Sequence, residues 1–213
     1  MKPAFHGPET RAFLFAAMGN AHFLKIDIDS GEIGRLATNL NRFSRQKRGY
    51  AIHTALERTA KQGLVSAARG IRANYNLPMN DIKRRFDVYL NRRASMAYIR
   101  CHSLRTNRIP LIKFGAKIMR SRGKATGVRV KIVRSGKTQV LRHAFLAKMS
   151  SGHEGIFTRE RGSRKIKEVM GIDAPAMLMS SKVEPAVTKR INEQLQKNMV
   201  HELQYQLSKF LGK

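Results

Sequence analysis

From Glu32 the chain takes up a helical rhythm: Ile33, Leu36, Leu40 and Phe43 recur at three and four residues, with Arg35, Arg42 and Arg45 between them. After Gly49 the rhythm resumes through Ile52, Leu56, Val65, Ala68 and Ile71, and Arg58, Lys61, Arg69 and Arg72 fall on the opposite side. The spacing predicts one long helix, bent near Gly49 and ending near Asn74. Upstream, the first thirty residues lack a sustained period except at Ile26-Asp27-Ile28-Asp29, whose alternation predicts a strand closing at the Ser30-Gly31 turn. Downstream, Pro78 and Asn80-Asp81 open a predicted short basic helix over residues 82–88. In it Ile82 and Phe86 face inward and Lys83, Arg84 and Arg85 form a cationic face.

Beyond Asn91 the period changes to two. Residues 94–101 and 108–118 read as strands, with Pro110, which donates no ladder hydrogen bond, at a strand start or sheet edge. The clearest strand is 127–134, with Val128, Val130 and Ile132 on one face and Arg129 and Lys131 on the other. Ser135-Gly136-Lys137 turns the chain and residues 138–149 return. The expected fold is α+β, a long N-terminal helix and a C-terminal helix packed on one antiparallel sheet of about four or five strands.

The last helix is announced by a capping box, Ser181-Lys182-Val183-Glu184, with Pro185 in the first turn where its missing N–H matters least. Its apolar residues Val183, Val187, Ile191, Leu195, Met199, Leu203 and Leu207 are spaced by four throughout. Four residues advance about 400°, so the stripe drifts by about 40° per step and the two ends of the helix must meet different neighbours. The first half is assigned to the chain's own domain. Met199, Val200, Leu203, Leu207 and Phe210 become candidate contacts for another subunit. Residues 1–30 form an N-terminal arm, 31–180 the α+β domain, and 181–213 the C-terminal helix and oligomerisation arm.

Charge changes the picture more than composition does. Among 213 residues, 42 are Lys or Arg and 14 are Asp or Glu, a formal charge of +28. Residues 75–150 alone hold nineteen basic and two acidic side chains. Such crowding predicts a polyanion-facing surface made of Lys83, Arg84, Arg85, Arg92, Arg93, Arg129 and Lys131. Tyr50, Tyr75, Phe86, Tyr89 and Tyr98 are assigned to the core or to helix flanks, so any nucleic acid is met through phosphates and not through bases.

Catalytic chemistry finds little support. The lone Cys101 excludes an intrachain disulfide and a cysteine zinc cage, and it fits a reducing compartment. His153-Glu154 lacks a second histidine four residues on and sits between glycines, so a tight loop is expected, with no metal and no cofactor. Ser121-Arg122-Gly123-Lys124 lacks P-loop spacing and reads as a basic strand connection. The longest uncharged stretch, residues 12–24, is too short for a membrane span. The expected product is a non-enzyme made in the cytoplasm, and a ribosomal or other non-specific nucleic-acid-binding protein is the competing reading.

Several strings in order resemble one family. They are Ile71-Arg72-Ala73-Asn74-Tyr75-Asn76-Leu77, Asp81-Ile82-Lys83-Arg84-Arg85-Phe86, Arg108-Ile109-Pro110-Leu111-Ile112-Lys113-Phe114, Gly127-Val128-Arg129-Val130, and residues 143–157 around Ser151-Gly152-His153-Glu154-Gly155. Ile166-Lys167-Glu168, Gly171, Pro175 and Met177 follow. Over residues 35–210 the sequence resembles the minor tail protein Z, or tail completion, family of long-tailed bacteriophages, departing from it at Ser150, where the family has proline. The resemblance implies a structural virion protein of the head-proximal tail end, or neck, acting late in assembly to position DNA. It also implies a homo-oligomeric ring of six-fold symmetry. Its partners would be tail terminator, tape-measure or neck proteins, or the genomic DNA end without sequence specificity.

Overall fold

A computed structural model describes residues 23–26, 45–101, 108–160 and 162–210. The amphipathic run becomes helix α1 (Arg45–Asn74), which ends at the predicted residue. Strand β1 (Phe23–Ile26) is the described part of the N-terminal arm. The rest of that arm, including Asp27 to Asp29, and the helical pattern from Ile33 to Phe43 lie outside the described residues.

The short basic helix needs correction. Helix α2 (Met79–Lys83) starts and stops earlier than predicted, Arg84 and Arg85 form a turn, and Phe86 opens strand β2 (Phe86–Asn91). The Arg85 amide donates to the Ile82 carbonyl at 3.0 Å, closing the turn. Beyond it, Phe86, Val88 and Tyr89 are aromatic and β-branched residues that suit a pleated strand. Ile82 and Phe86 are both buried, as their spacing required, but on two different elements.

Strand β3 (Met96–Cys101) joins β1 and β2 in the order β1–β3–β2. Strand β4 (Arg108–Pro110) leads into a 3-10 turn at Leu111–Phe114. Then come β5 (Lys117–Ser121), β6 (Lys124–Val130) and β7 (Gln139–Leu141), one sheet, and β8 (Ala144–Lys148), β9 (Glu154–Arg159) and β10 (Ile166–Glu168), another. Strand β11 (Met170–Asp173) pairs with β4, and helices α3 (Ala174–Leu178) and α4 (Glu184–Phe210) complete the chain. The fold is α+β, but in place of the single predicted sheet the described residues form four small antiparallel ones. Two breaks explain this. After Pro110 the chain winds into the 3-10 turn, capped by Gly115 at φ +69, so residues 108–118 cannot run as one strand. A turn at Arg142 and His143 likewise divides residues 138–149 into β7 and β8.

The chain divides into two compact units. The first contains β1, α1 as far as Gly63, residues 88–100 and α4 from Thr188. Here α1 and α4 run antiparallel: Gly63 lies against Ile191, Asn198 bonds Thr59 and Gln62, and Arg58 pairs with Glu202. A Cβ at Gly63 would come 2.8 Å from Ile191 and 3.2 Å from Ile99 of β3, so glycine allows the close approach of helix to helix and strand. The second unit holds residues 64–87 and 101–187. Its buried apolar side chains include Ile71, Ile82, Ile109, Phe114, Val128, Ile156, Met177 and Val183. Helix α4 begins at Glu184, later than the capping box predicted, after a turn in which the Val183 and Glu184 amides donate to the Ser180 carbonyl.

Cys101, at the end of β3, is buried, and burial pushes its thiol up to about 11, with Arg85 opposing and Asp173 and Asp87 adding to the rise. Only the thiolate reacts with disulfide reagents. At pH 8 the folded protein should therefore be labelled roughly a hundredfold more slowly than the chain in denaturant. The unfolded chain also loses this proton first, so the same shift should lower stability as pH rises above about 9. Equal labelling rates in the two states would refute the burial argument.

Candidate polyanion interface

In the second unit, Lys83 and Arg84 stand exposed at the end of α2, whereas Arg85 is half-buried and its Nη1 has no hydrogen-bond partner. Arg92 and Arg93 belong to the first unit, on the turn between β2 and β3, where the Ala94 amide donates to Asn91 Oδ1 at 3.2 Å. Arg92 helps Lys61 hold the Glu57 carboxyl below its ordinary range, Lys61 being the main cause through a 2.7 Å hydrogen bond. Arg129 and Lys131 project from the exposed side of β6 and the residue after it, while Val128 and Val130 are buried, as the alternation predicted. The structure thus brings Arg129 and Lys131 together and keeps Lys83 to Arg85 contiguous, with Arg92 and Arg93 in the other unit.

Strand β5 adds a cation that the sequence reading missed. Arg122 and Gly123, both at positive φ, make a two-residue hairpin turn between Ser121 and Lys124, the basic connection predicted there. Counting back from this turn without interruption would set Lys117 opposite Val128. A bulge beside Met119 and Arg120 shifts the register, and Lys117 stands directly opposite Arg129. Gly127, at φ +149, follows the bulge, and a Cβ there would lie 2.6 Å from the Leu141 carbonyl oxygen on the β7 side.

Lys117, Arg129 and Lys131 line a cleft of about 280 Å³ together with Asn76, Gly115, Val130 and Thr138. Its wall is fixed by the backbone. The Asn76 amide donates to the Ile132 carbonyl and the Arg134 amide to the Asn74 carbonyl, each at 2.8 Å, while Tyr75 bridges to Val133. Asn76 Nδ2 donates to the Phe114 carbonyl at 2.8 Å and so ties the 3-10 turn to the same wall. A larger depression of about 1090 Å³ beside β8 and β9 carries His143, Arg159 and Arg164, but also Glu160 as a local counter-charge.

The loop after β8 is tight, as expected: the Met149 amide donates to the His153 carbonyl at 2.7 Å and Gly152 takes φ +81. His153 Nε2 lies 2.9 Å from Glu168 Oε1, over Gly155, where a Cβ would meet that oxygen at 2.6 Å. Among the described residues no group of three or more His, Cys, Asp or Glu is placed to hold a metal ion, and no helix is long and apolar enough to cross a membrane. The aromatic assignment needs correction. Tyr75 and Phe86 are buried, but Tyr50 and Tyr89 are exposed, and Tyr89 lies against Tyr98 with its ring centroid 4.5 Å from the Arg100 guanidinium.

Among the subunit-contact candidates, Met199 and Leu203 are buried within the chain, whereas Val200 and Leu207 are exposed, as is Tyr205. Phe210 ends α4, and its side chain lies outside the described residues.

The sequence profile of a family described as prophage minor tail protein Z matches residues 35–213. No curated protein and no solved structure matches the chain.

Proposed function

The chain belongs to the prophage minor tail protein Z family, structural proteins of the phage tail, and from that premise we propose that it completes the tail at the head-proximal end. In this reading copies of the chain form a ring on the tail's symmetry, and the basic face meets either the phosphates of the DNA end or acidic surfaces of neighbouring tail proteins. The observation that carries it is the unneutralised charge: six of the seven cations predicted for that face are exposed, and none forms an ion pair with an acid among the described residues. Cations this crowded repel one another within the screening length of about 8 Å unless a partner supplies the opposite charge.

No step of the reading requires a reaction. The protein holds, spaces and orients. Two measurements test it. Particles lacking the gene should carry tails that fail to join or retain DNA normally, and a reconstruction of the intact particle should place this density next to the neck. Density at the distal tip, or full infectivity without the gene, overturns the reading. Purified protein should also bind duplex DNA or isolated tail components with an affinity that falls steeply as salt rises. Association indifferent to salt would remove the role of the basic face.

A further inference from the structure

We infer that the cleft formed by Lys117, Arg129, Lys131, Asn76 and Thr138 is a discrete binding site for a backbone phosphate of nucleic acid. The inference rests on the reading that the basic face meets DNA and gives that contact a definite place.

Like charges directly across an antiparallel pair destabilise it. Lys117 and Arg129 occupy such positions, and Lys131 lies two residues further along, on the same side as Arg129. Among the described residues no acid lines the cleft to offset the repulsion. The two acids between residues 75 and 150 are Asp81 and Asp87; Asp81 Oδ1 sits 3.5 Å from Lys113, and neither lines the cleft. A bulge in the backbone brings the pair into register, so the arrangement is imposed by the backbone and is not a chance meeting of flexible side chains.

The remaining groups suit an oxyanion. Of the two N–H bonds on Asn76 Nδ2, one goes to the Phe114 carbonyl and the other is left to donate, and Thr138 brings a hydroxyl. With two ammonium groups and a guanidinium, this is, among the described residues, a donor set without a carboxylate. The volume falls just below the roughly 300 Å³ at which small-molecule sites begin, enough for one phosphate with part of its sugar. Among the described residues no aromatic side chain lines it, so the site offers no surface on which a base stacks. The rest of the hairpin extends the match: Arg120, Arg122 and Lys124 continue the charge towards the turn, and no acid occurs from residue 117 to 131. A regularly charged strand of phosphates fits such a ribbon better than a mixed acidic peptide does.

The test uses the full chain and a mixed-sequence DNA duplex, with binding followed by fluorescence anisotropy across a salt series. A triple variant, Lys117→Gln with Arg129→Gln and Lys131→Gln, is compared with a charge-matched control, Lys182→Gln with Lys189→Gln and Lys197→Gln. The cleft variant should bind roughly tenfold more weakly or worse at 0.1 M salt, and its log–log salt slope should shrink by about one, the change for one lost phosphate contact. Its thermal stability should equal or exceed the parent's, since a repulsion has been removed, which separates lost binding from lost folding. The control should lose less than about a third of that slope change.

Equal loss in both variants overturns the site and leaves the basic-face reading standing, because diffuse attraction then explains the binding. A parent chain that ignores DNA altogether overturns the site and the DNA half of the basic-face reading, and leaves only its acidic-partner half standing. Inorganic phosphate and poly-glutamate complete the test. If phosphate shifts the Asn76 side-chain amide resonance while the triple variant keeps its DNA affinity, the cleft takes free anions and the nucleic-acid assignment fails. If poly-glutamate displaces DNA at equal charge concentration and loses its own affinity in the triple variant, the partner is an acidic protein and the assignment fails likewise.

Discussion

Gly171→Ala is expected to cost about 3 kcal/mol, at the upper end of what overpacking usually costs, and to lower the melting temperature by roughly 6–12 °C. Gly171 lies in β11, and a Cβ on it would come 2.6 Å from Cε2 of Phe114, 3.2 Å from Cδ2 and 3.3 Å from Cζ. Phe114 is fully buried, so its ring cannot swing away without displacing other packed atoms. The backbone at Gly171 does not need positive φ, which leaves the ring contact as the whole cost. Phe114→Leu should therefore destabilise the parent chain yet recover part of the loss in the Gly171→Ala chain. Calorimetry on the four proteins checks this, and additive losses would show that the ring is not what reserves the position.

That contact also explains what the family-like strings are for. Arg108 to Phe114 and Gly171 are far apart in sequence, and β4 pairs with β11 while the Leu111 amide donates to the Val169 carbonyl at 3.0 Å. The Val169 amide in turn donates to Ile156, which belongs to the string around the His153 loop. Ile109, Leu111, Phe114, Ile156, Pro175 and Met177 are all buried. The strings that carry the resemblance thus build the core of the second unit, and Lys83, Arg84, Arg129 and Lys131 stand exposed on that unit.

Local features of this surface were legible where one strand sufficed to read them. Alternation placed Arg129 and Lys131 outward with Val128 and Val130 inward, and the turn at Arg122 and Gly123 followed from its residues. Lys117 was not legible, because its partner depends on one extra residue in β6 that flips the count by one. Gly127 inside an otherwise regular strand was the available signal. The division into four sheets was hidden for a related reason: hairpin turns announce which strands are adjacent, but they do not say where a sheet stops. Phe86 was misplaced because Ile82 and Phe86, four apart, satisfy a helix and equally satisfy a helix end followed by a strand start.

Asn198→Asp is expected to cost about 3 kcal/mol near neutral pH, within the range for a buried charge left without good partners, and distinctly less near pH 4. The drifting stripe of α4 foretold that its two ends would face different neighbours. It could not foretell that, past Leu195, the buried side would take in Asn198, Glu202 and Gln206 beside Met199 and Leu203, since polar residues there read as a wet face. Asn198 Nδ2 donates to Thr59 Oγ1 at 2.9 Å and to Gln62 Oε1 at 3.0 Å, and the Thr59 hydroxyl donates onward to the Ala55 carbonyl at 2.7 Å. A carboxylate has no proton to give, so it would face the Thr59 oxygen, fully buried, as a second acceptor. Burial then raises the folded-state pKa of the new acid above the usual 3.9 or so. Below that value both states are protonated and the penalty is small. It grows as pH rises through the unfolded value and is complete above the folded one. Asn198→Leu keeps the Thr59–Ala55 bond and removes no charge, so it should cost only about 1 kcal/mol at any pH. Denaturant unfolding of both variants at pH 4 and pH 7 decides the matter: a pH-independent deficit in the aspartate chain would mean that the lost donor bonds, and not a buried charge, account for the whole cost.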